Sequence, residues 1–356
     1  MILPKTNKIK SKDYIVIKPE RLRDFCEGIL LKAGLSLAHA HIVADSLIEA
    51  NLRGIDTHGV VRLPIYTKRL KMGLVSANPE INLIRKNISL AILDGDNGPG
   101  QVAAMRGIEE AIKIARESGV GFVGIKNSNH FGTAGYFTMR AIEEDMIGIA
   151  MTHGEADMIP YGGRKPCLGT NPISVAIPAG EELPIVLDMA SSIVAMGNIF
   201  LAREEGVPIP DGWAVDKEGN PTTDPHAARA VRPMGGAKGY GLSVVVDVLC
   251  GILTGSFFGL HIRNMYSSLS EPQALGQFVG AINIENFLSG AQFKKNIDQM
   301  IREIKSIPPD KGFEEVMLPG EPEWRAREKR LKEGIPIGER VYSQLKALGD
   351  EFNIKV

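Results

Sequence analysis

Three glycines at the centre of the chain, Gly119, Gly121 and Gly124, spell G-x-G-x-x-G in an order that forbids the usual dinucleotide fold. In a Rossmann fold the motif follows a strand and opens a helix, so that a pyrophosphate meets the positive helix N-terminus. Here Met105, Ile108, Ile112 and Ala115 recur at helical spacing before the glycines, and FVGIK reads as a strand after them. The order is helix, turn, strand, so a nucleotide would have to be held by other means.

The flanking pattern is α/β, a mixture of strands and helices. Residues 18 to 53 carry two helical patterns separated at Gly34, and short apolar stretches at Ile81–Ile84 and Ser89–Leu93 run into the turn-rich DGDNGPG. From Gly121 to Gly180 the strands FVGIK, IGIAMT and SVAIPA surround one helix at about 134–145. Then come IVLDMA, a helix around 191–205, the polar turns of DKEGNPTTDP, an apolar helix from Gly241, a strand at Phe278–Ile284 and an amphipathic helix at 291–305. The tail near 307–337, with its PGEPE, reads as surface wrapping. At 356 residues two domains are expected, with a ligand cleft between them.

With 41 basic against 42 acidic side chains, electrostatic capture of nucleic acid is disfavoured. The three separated cysteines, Cys26, Cys167 and Cys250, suit packed thiols in a reducing, cytoplasmic setting. MILPKTNKIKSKDY has no signal-type apolar core behind it. The longest apolar run, Leu242–Leu260, contains Asp247 and reads as a buried helix rather than a membrane span.

Polar, glycine-bearing segments carry the candidate chemistry. In DTHGVVR, His58, Arg62 and Tyr66 follow one another at four-residue intervals, which on a helix gives one face. Arg62 could grip a carboxylate bidentately while an imidazole accepts a hydroxyl proton. In NSNHFGTAGYF, His130 follows a strand, where catalytic groups of α/β proteins collect. Either histidine alone is better explained by a structural hydrogen bond than by catalysis; two such segments in one chain shift that balance. GGAKGYG places Lys238 and glycines before a helix, suited to an anionic ligand, although on spacing alone a glycine loop with a solvated lysine is the better explanation. The remaining histidines offer no second ligand at metal spacing, so no catalytic metal is expected, and G-x-S-x-G and H-E-x-x-H are absent from the sequence.

Together LRGIDTHGVVR, DGDNGPGQVAA, NSNHFGTAGYF, LGTNPISVAIPA, LDMASS, IPDGWAVDKEGNPTTDP, GGAKGYGLSVVVDVLCGIL and PGEPE resemble the non-Rossmann malate and L-lactate dehydrogenase family over nearly the whole chain. The stretch Ile209–Phe287 is most similar to its ureidoglycolate dehydrogenase branch. The resemblance implies a helical domain from both chain ends (1–80 plus about 240–356) and a central mixed-sheet NAD(P)-binding domain (about 81–239). It implies cofactor contacts at Gly154, Asp188, Met189, Ala190, Lys238, Gly320, Glu321 and Pro322, proton transfer at His130 or His58, and substrate contacts at Arg62, Tyr66 and His58. A homodimer with its cofactor site near the interface is implied too.

The expected activity is therefore a 2-hydroxy acid dehydrogenase or 2-oxo acid reductase of malate, lactate or ureidoglycolate type, using NAD, with NADP as the alternative. An NADPH-dependent cyclic-imine carboxylate reductase and a catalytically silent nucleotide binder are the competing readings. Glu155 and Asp157, in the family-divergent HGEAD segment, would favour NAD if they face the ribose.

Overall fold

The computed structural model describes residues 14–356, so the expectation for the N-terminal segment lies, up to Asp13, outside the described residues. Strand β1 (Tyr14–Ile17) leads into α1 (Pro19–Lys32), started by Pro19, and α2 (Leu37–Leu52), capped where Ser36 accepts the His39 N–H. Two single-turn 3-10 segments, Asp56–His58 and Val60–Arg62, precede α3 (Leu63–Lys71). There follow β2 (Asn82–Lys86), β3 (Leu90–Asp94), α4 (Gly100–Ser118), β4 (Val120–Ser128) and α5 (Gly135–Ile142). Next are β5 (Met146–Thr152), β6 (Ile173–Ile177), β7 (Ile185–Met189) and α6 (Met196–Glu205). Three two-residue strands come after, β8 (Ala214–Val215), β9 (Pro221–Thr222) and β10 (Ala230–Val231), then α7 (Ala237–Asp247) and β11 (Leu275–Asn283). The chain closes with α8 (Gly290–Lys305), α9 (Glu321–Glu333), β12 (Ile335–Gly338) and α10 (Glu339–Phe352).

The central sheet has seven strands in the order β2-β3-β4-β11-β5-β6-β7. Only β3 and β4 run parallel in it. Helices α4 and α5 bury Ala103, Ile108, Ala111 and Phe137 against Val123, Ile125, Val279 and Ala281 of the sheet. The misleading glycine triplet is packing chemistry at this contact. Gly119 ends α4 at φ +85°, and a Cβ on Gly121 would stand 2.1 Å from the Ala111 carbonyl oxygen. A helical layer joins both chain ends: β1 pairs with β12, and Leu22, Phe25 and Leu47 pack with Ile335, Ile337 and Leu345.

Three expectations need correction. The domain boundary at about 240 does not follow the sheet, because β11 sits between β4 and β5 and hydrogen-bonds to both. The run Leu242–Leu260 is not a buried helix. Helix α7 passes into a π-helical turn at Val248–Ile252, and Val245, Ile252, Leu253 and Leu260 are exposed. The tail is more than wrapping, since it holds α9 and β12. Among the described residues no helix is long and apolar enough to cross a membrane.

Candidate active site

His58, Arg62 and Tyr66 do not share one helix. Gly59, at ψ −149°, breaks the chain between the two 3-10 turns. The break is built by Asn51, whose side-chain oxygen accepts the Val60 N–H at 2.9 Å and whose amide donates to Asp56 at 2.6 Å. Arg330 of α9 grips the same Asp56 carboxylate at 2.6 and 3.0 Å. A Cβ on Gly59 would lie 2.1 Å from the Asn51 oxygen, so Gly59→Ala must expel that side chain and strand the buried Val60 donor. The expected loss is about 1–3 kcal/mol, read as a lower melting temperature, together with reduced turnover. An unchanged melting temperature would contradict this geometry.

His130 is placed by the mutual locking of DGDNGPG and NSNHFG. Asn129 donates to the Asn97 and Gly98 carbonyls at 3.1 and 2.9 Å, and a Cβ on Gly100 would meet the Asn129 carbonyl at 2.0 Å. Tyr66 Oη lies 2.6 Å from His130 Nδ1, and the His58 ring stacks on His130 at 5.6 Å with an 18° tilt. The Gly132 N–H also donates to Nδ1, at 3.3 Å, which favours the tautomer carrying hydrogen on Nε2. Thus the two histidines, predicted from separate segments, form one stacked pair with Tyr66 behind it.

The segment from Arg263 to Gln273 closes the site, and it was not predicted from sequence. Arg62 donates from Nε to the Thr57 carbonyl at 2.8 Å and from Nη1 to Tyr266 Oη at 2.5 Å. The Gln273 side chain accepts the His130 N–H at 3.4 Å. Buried Arg69 holds the segment by its Met265 and Ser268 carbonyls, at 3.1 and 3.0 Å. Such contacts span about two hundred residues of chain, so no local periodicity reveals them.

Burial and then the Arg62 charge push the His58 imidazole down to about 3, and the same two causes, with His58 added, hold His130 well below its ordinary value. Both rings are therefore neutral at physiological pH. In the unfolded chain His58 takes a proton near 6.5, whereas the folded protein refuses it until about 3. The unfolded state then binds more protons across that window, and stability falls as pH falls through it. Melting temperatures measured from about pH 7 down to about pH 4 should drop more steeply for the wild type than for His58→Gln; parallel curves would refute the buried neutral imidazole.

Four of the eight predicted cofactor residues converge elsewhere, in one cavity. A cavity of about 610 Å³ is lined by Asp188, Met189, Gly320 and Pro322, and by Ile55, three residues before His58. Asp188 accepts the Gly135 N–H at 2.7 Å, and burial pushes its carboxyl up to about 6. Gly320, at φ +88°, follows Pro319, which pairs with Val186 beside β7. Ala190 follows that strand, and the next residue, Ser191, accepts the Met234 N–H at 2.9 Å through its carbonyl. That bond holds the GGAKGYG turn beside the cavity, with Lys238 exposed in the first turn of α7. Gly154 donates to Asn171 at 3.2 Å, and Asn171 in turn donates to the Ser243 carbonyl of α7 at 3.0 Å.

Two sequence expectations fare differently. The Glu321 side chain is turned to Lys305, at 2.6 Å, and to Arg325, and it does not line the cavity. Glu155 lies against Asn264, at 3.3 Å, and both it and Asp157 feel the charge of Arg62. Neither residue is among those that line the cavity.

The profile of the malate/L-lactate dehydrogenase family matches residues 17–346. Malate dehydrogenase of Pyrococcus horikoshii is 40% identical over 97% of each chain. Ureidoglycolate dehydrogenase (NAD(+)) of Escherichia coli (strain K12) is 40% identical over 92% of this chain and 94% of its own. The solved sulfolactate dehydrogenase of Methanocaldococcus jannaschii superposes with a TM-score of 0.89 at 39% identity, covering 96% of this chain and 98% of that one. The chain belongs to the malate/L-lactate dehydrogenase family, a class of non-Rossmann oxidoreductases acting on CH–OH groups. Its relatives share the mixed seven-stranded architecture rather than a Rossmann sheet.

Proposed function

We propose that the protein interconverts a small 2-hydroxy acid and the corresponding 2-oxo acid. The observation that carries this reading is the Tyr66–His130–His58 stack beside Arg62, whose Nη2 makes no hydrogen bond among the described residues. Arg62 binds the substrate carboxylate through Nη2, and the histidine pair exchanges the hydroxyl proton. With Tyr66 Oη donating to Nδ1, Nε2 carries a proton for an oxo group; a bare Nε2 able to take a hydroxyl proton requires the hydrogen on Nδ1, with Tyr66 Oη accepting it and the 3.3 Å Gly132 contact given up. Carboxylate binding neutralises Arg62 and removes part of the penalty on imidazolium formation.

The cavity of about 610 Å³ suits a dinucleotide in volume, falling within the usual range of ligand sites, and Gly154 leaves open space where a Cβ would stand. Asp188, Met189, Ala190, Lys238, Gly320 and Pro322 would hold the cofactor there. When bound, the nicotinamide supplies the hydride acceptor or donor. Arg53 is outnumbered in the lining by Asp188, Asp310 and Glu323, while Glu315 is paired with Lys305 and Arg325, and this excess of carboxylates favours NAD over a 2′-phosphorylated cofactor. Initial rates with both cofactors against malate, lactate, ureidoglycolate and their oxo partners test the reading. Turnover of such an acid supports it, and activity confined to cyclic imines or absent throughout overturns it.

A homodimer in the cytoplasm completes the proposal. The exposed apolar residues Val245, Val248, Ile252 and Leu253 follow Lys238 along the α7 segment, so pairing through this face would set the interface beside the cofactor loop. Light scattering on the eluted protein should give twice the chain mass; a stable monomer at micromolar concentration would count against it. The three free thiols fit a reducing compartment.

A further inference from the structure

We infer that His153 and Asp247 are positioning residues of the substrate site, a buried pair that ties helix α7 of the cofactor side to the segment closing over Arg62 and His130. The inference rests on the 2-hydroxy acid reading above and adds to it what fixes the closing segment. The sequence assigns neither residue a role, and Asp247 is the one charged residue in the apolar run Leu242–Leu260.

Both side chains are buried, with His153 at 2% and Asp247 at 5% exposure. His153 Nε2 accepts the Gly276 N–H at 2.8 Å, so the ring keeps its hydrogen on Nδ1 and gives it to Asp247 Oδ1 at 3.2 Å. The other carboxylate oxygen, Oδ2, accepts the Gly259 N–H at 3.0 Å. These bonds join parts of the chain that serve different ligands. His153 follows β5 and precedes Gly154, while Asp247 is the last residue of α7, whose first turn carries Lys238. Gly259 opens the segment whose Tyr266 accepts from Arg62 and whose Gln273 accepts the His130 N–H at 3.4 Å. Arg69 holds the later part of that segment by the Met265, Ser268 and Glu271 carbonyls, and Asp247 holds its start. The backbone around the pair has no slack: a Cβ on Gly276 would stand 1.7 Å from the Cys250 carbonyl oxygen, and one on Gly251 would stand 3.0 Å from His153 Cε1. Burying a carboxylate carries a desolvation cost that an apolar contact does not. What the carboxylate supplies is direction, because each of its oxygens fixes a different element by a charge-assisted hydrogen bond.

Asp247→Asn leaves one oxygen for two N–H donors, so either His153 or Gly259 loses its acceptor. The KM for the acid at saturating cofactor should rise at least about tenfold, while kcat and the Kd of NADH, read by its fluorescence, change by less than about threefold. The pair acts through Tyr266 on Arg62, so the KM effects of Asp247→Asn and Tyr266→Phe should combine in the double variant to less than their product. Two substitutions of the histidine separate this role from plain packing. His153→Asn keeps an N–H where the imidazole has Nδ1, and His153→Gln keeps an oxygen where it has Nε2, so the acid KM should stay near the wild-type value in the first and rise in the second. Equal effects of those two, or KM effects that multiply in full in the double variant, would overturn the pair's role while leaving the dehydrogenase reading intact. A wild type that turns over none of lactate, malate and ureidoglycolate would remove that reading, and amide hydrogen exchange would then judge the pair: protection of residues 259–273 should fall in Asp247→Asn, and unchanged protection would overturn it.

Discussion

His130→Gln should lower kcat by about a hundredfold or more while leaving cofactor binding in place, because general acid–base groups contribute on this order. Glutamine keeps the bulk and a hydrogen-bonding end but cannot exchange a proton. His130 is preferred over His58 for the larger effect because it is held from two sides, by Tyr66 at 2.6 Å and by Gly132, which fixes the orientation of its far nitrogen. His58 is held at Nδ1 by its neighbour Thr57, at 3.0 Å. Tyr66→Phe should give a smaller fall in kcat and a shifted pH profile, since it frees the imidazole tautomer without removing the ring. Steady-state rates under conditions where chemistry limits turnover decide the matter: a change below about tenfold for both histidines would show that neither carries the proton.

Arg62→Ala should raise KM for the acid by about a hundredfold, with a lesser effect on kcat, because a partly buried charged hydrogen bond to the carboxylate is lost. A second consequence has a definite sign. Arg62 depresses both imidazoles, so its removal raises their affinity for protons and moves the acid limb of kcat/KM to higher pH. Arg62→Lys restores the charge without the planar fork and should recover the pH profile better than the KM. An unchanged KM in Arg62→Ala would remove this side chain from the substrate site.

The elements with strong local signals were legible in the sequence. The helical hairpin of α1 and α2, the strands of the central sheet and the helix after DGDNGPG all follow from apolar period and turn chemistry. Helix α9 was not legible, because EPEWRAREKRLKE has little apolar face; its interior contacts are made by charged and aromatic side chains, as when Arg330 reaches Asp56 and Trp324 lies under Arg53 at 4.6 Å. Position in the sheet is likewise non-local, so a boundary at about 240 overlooked that β11 must return to pair between β4 and β5. At the site, residue types at strand and turn ends pointed to His58, Arg62 and His130, and the family resemblance added the cofactor groove. Neither could show that Gly59 breaks the helix face, that Glu321 is spent on Lys305 and Arg325, or that Glu155 reaches Asn264. Those facts depend on distant parts of the chain meeting.

Hydride transfer itself can be followed in a single turnover, with NADH deuterated on the transferred face of C4, excess enzyme and a 2-oxo acid such as pyruvate or oxaloacetamate. Deuterium should appear at C2 of the resulting hydroxy acid, and the rate of its transfer should collapse in His130→Gln. Product carrying only solvent hydrogen at C2, or cofactor bound and left unoxidised with every oxo acid, would contradict a dehydrogenase built on the His130, His58 and Arg62 constellation.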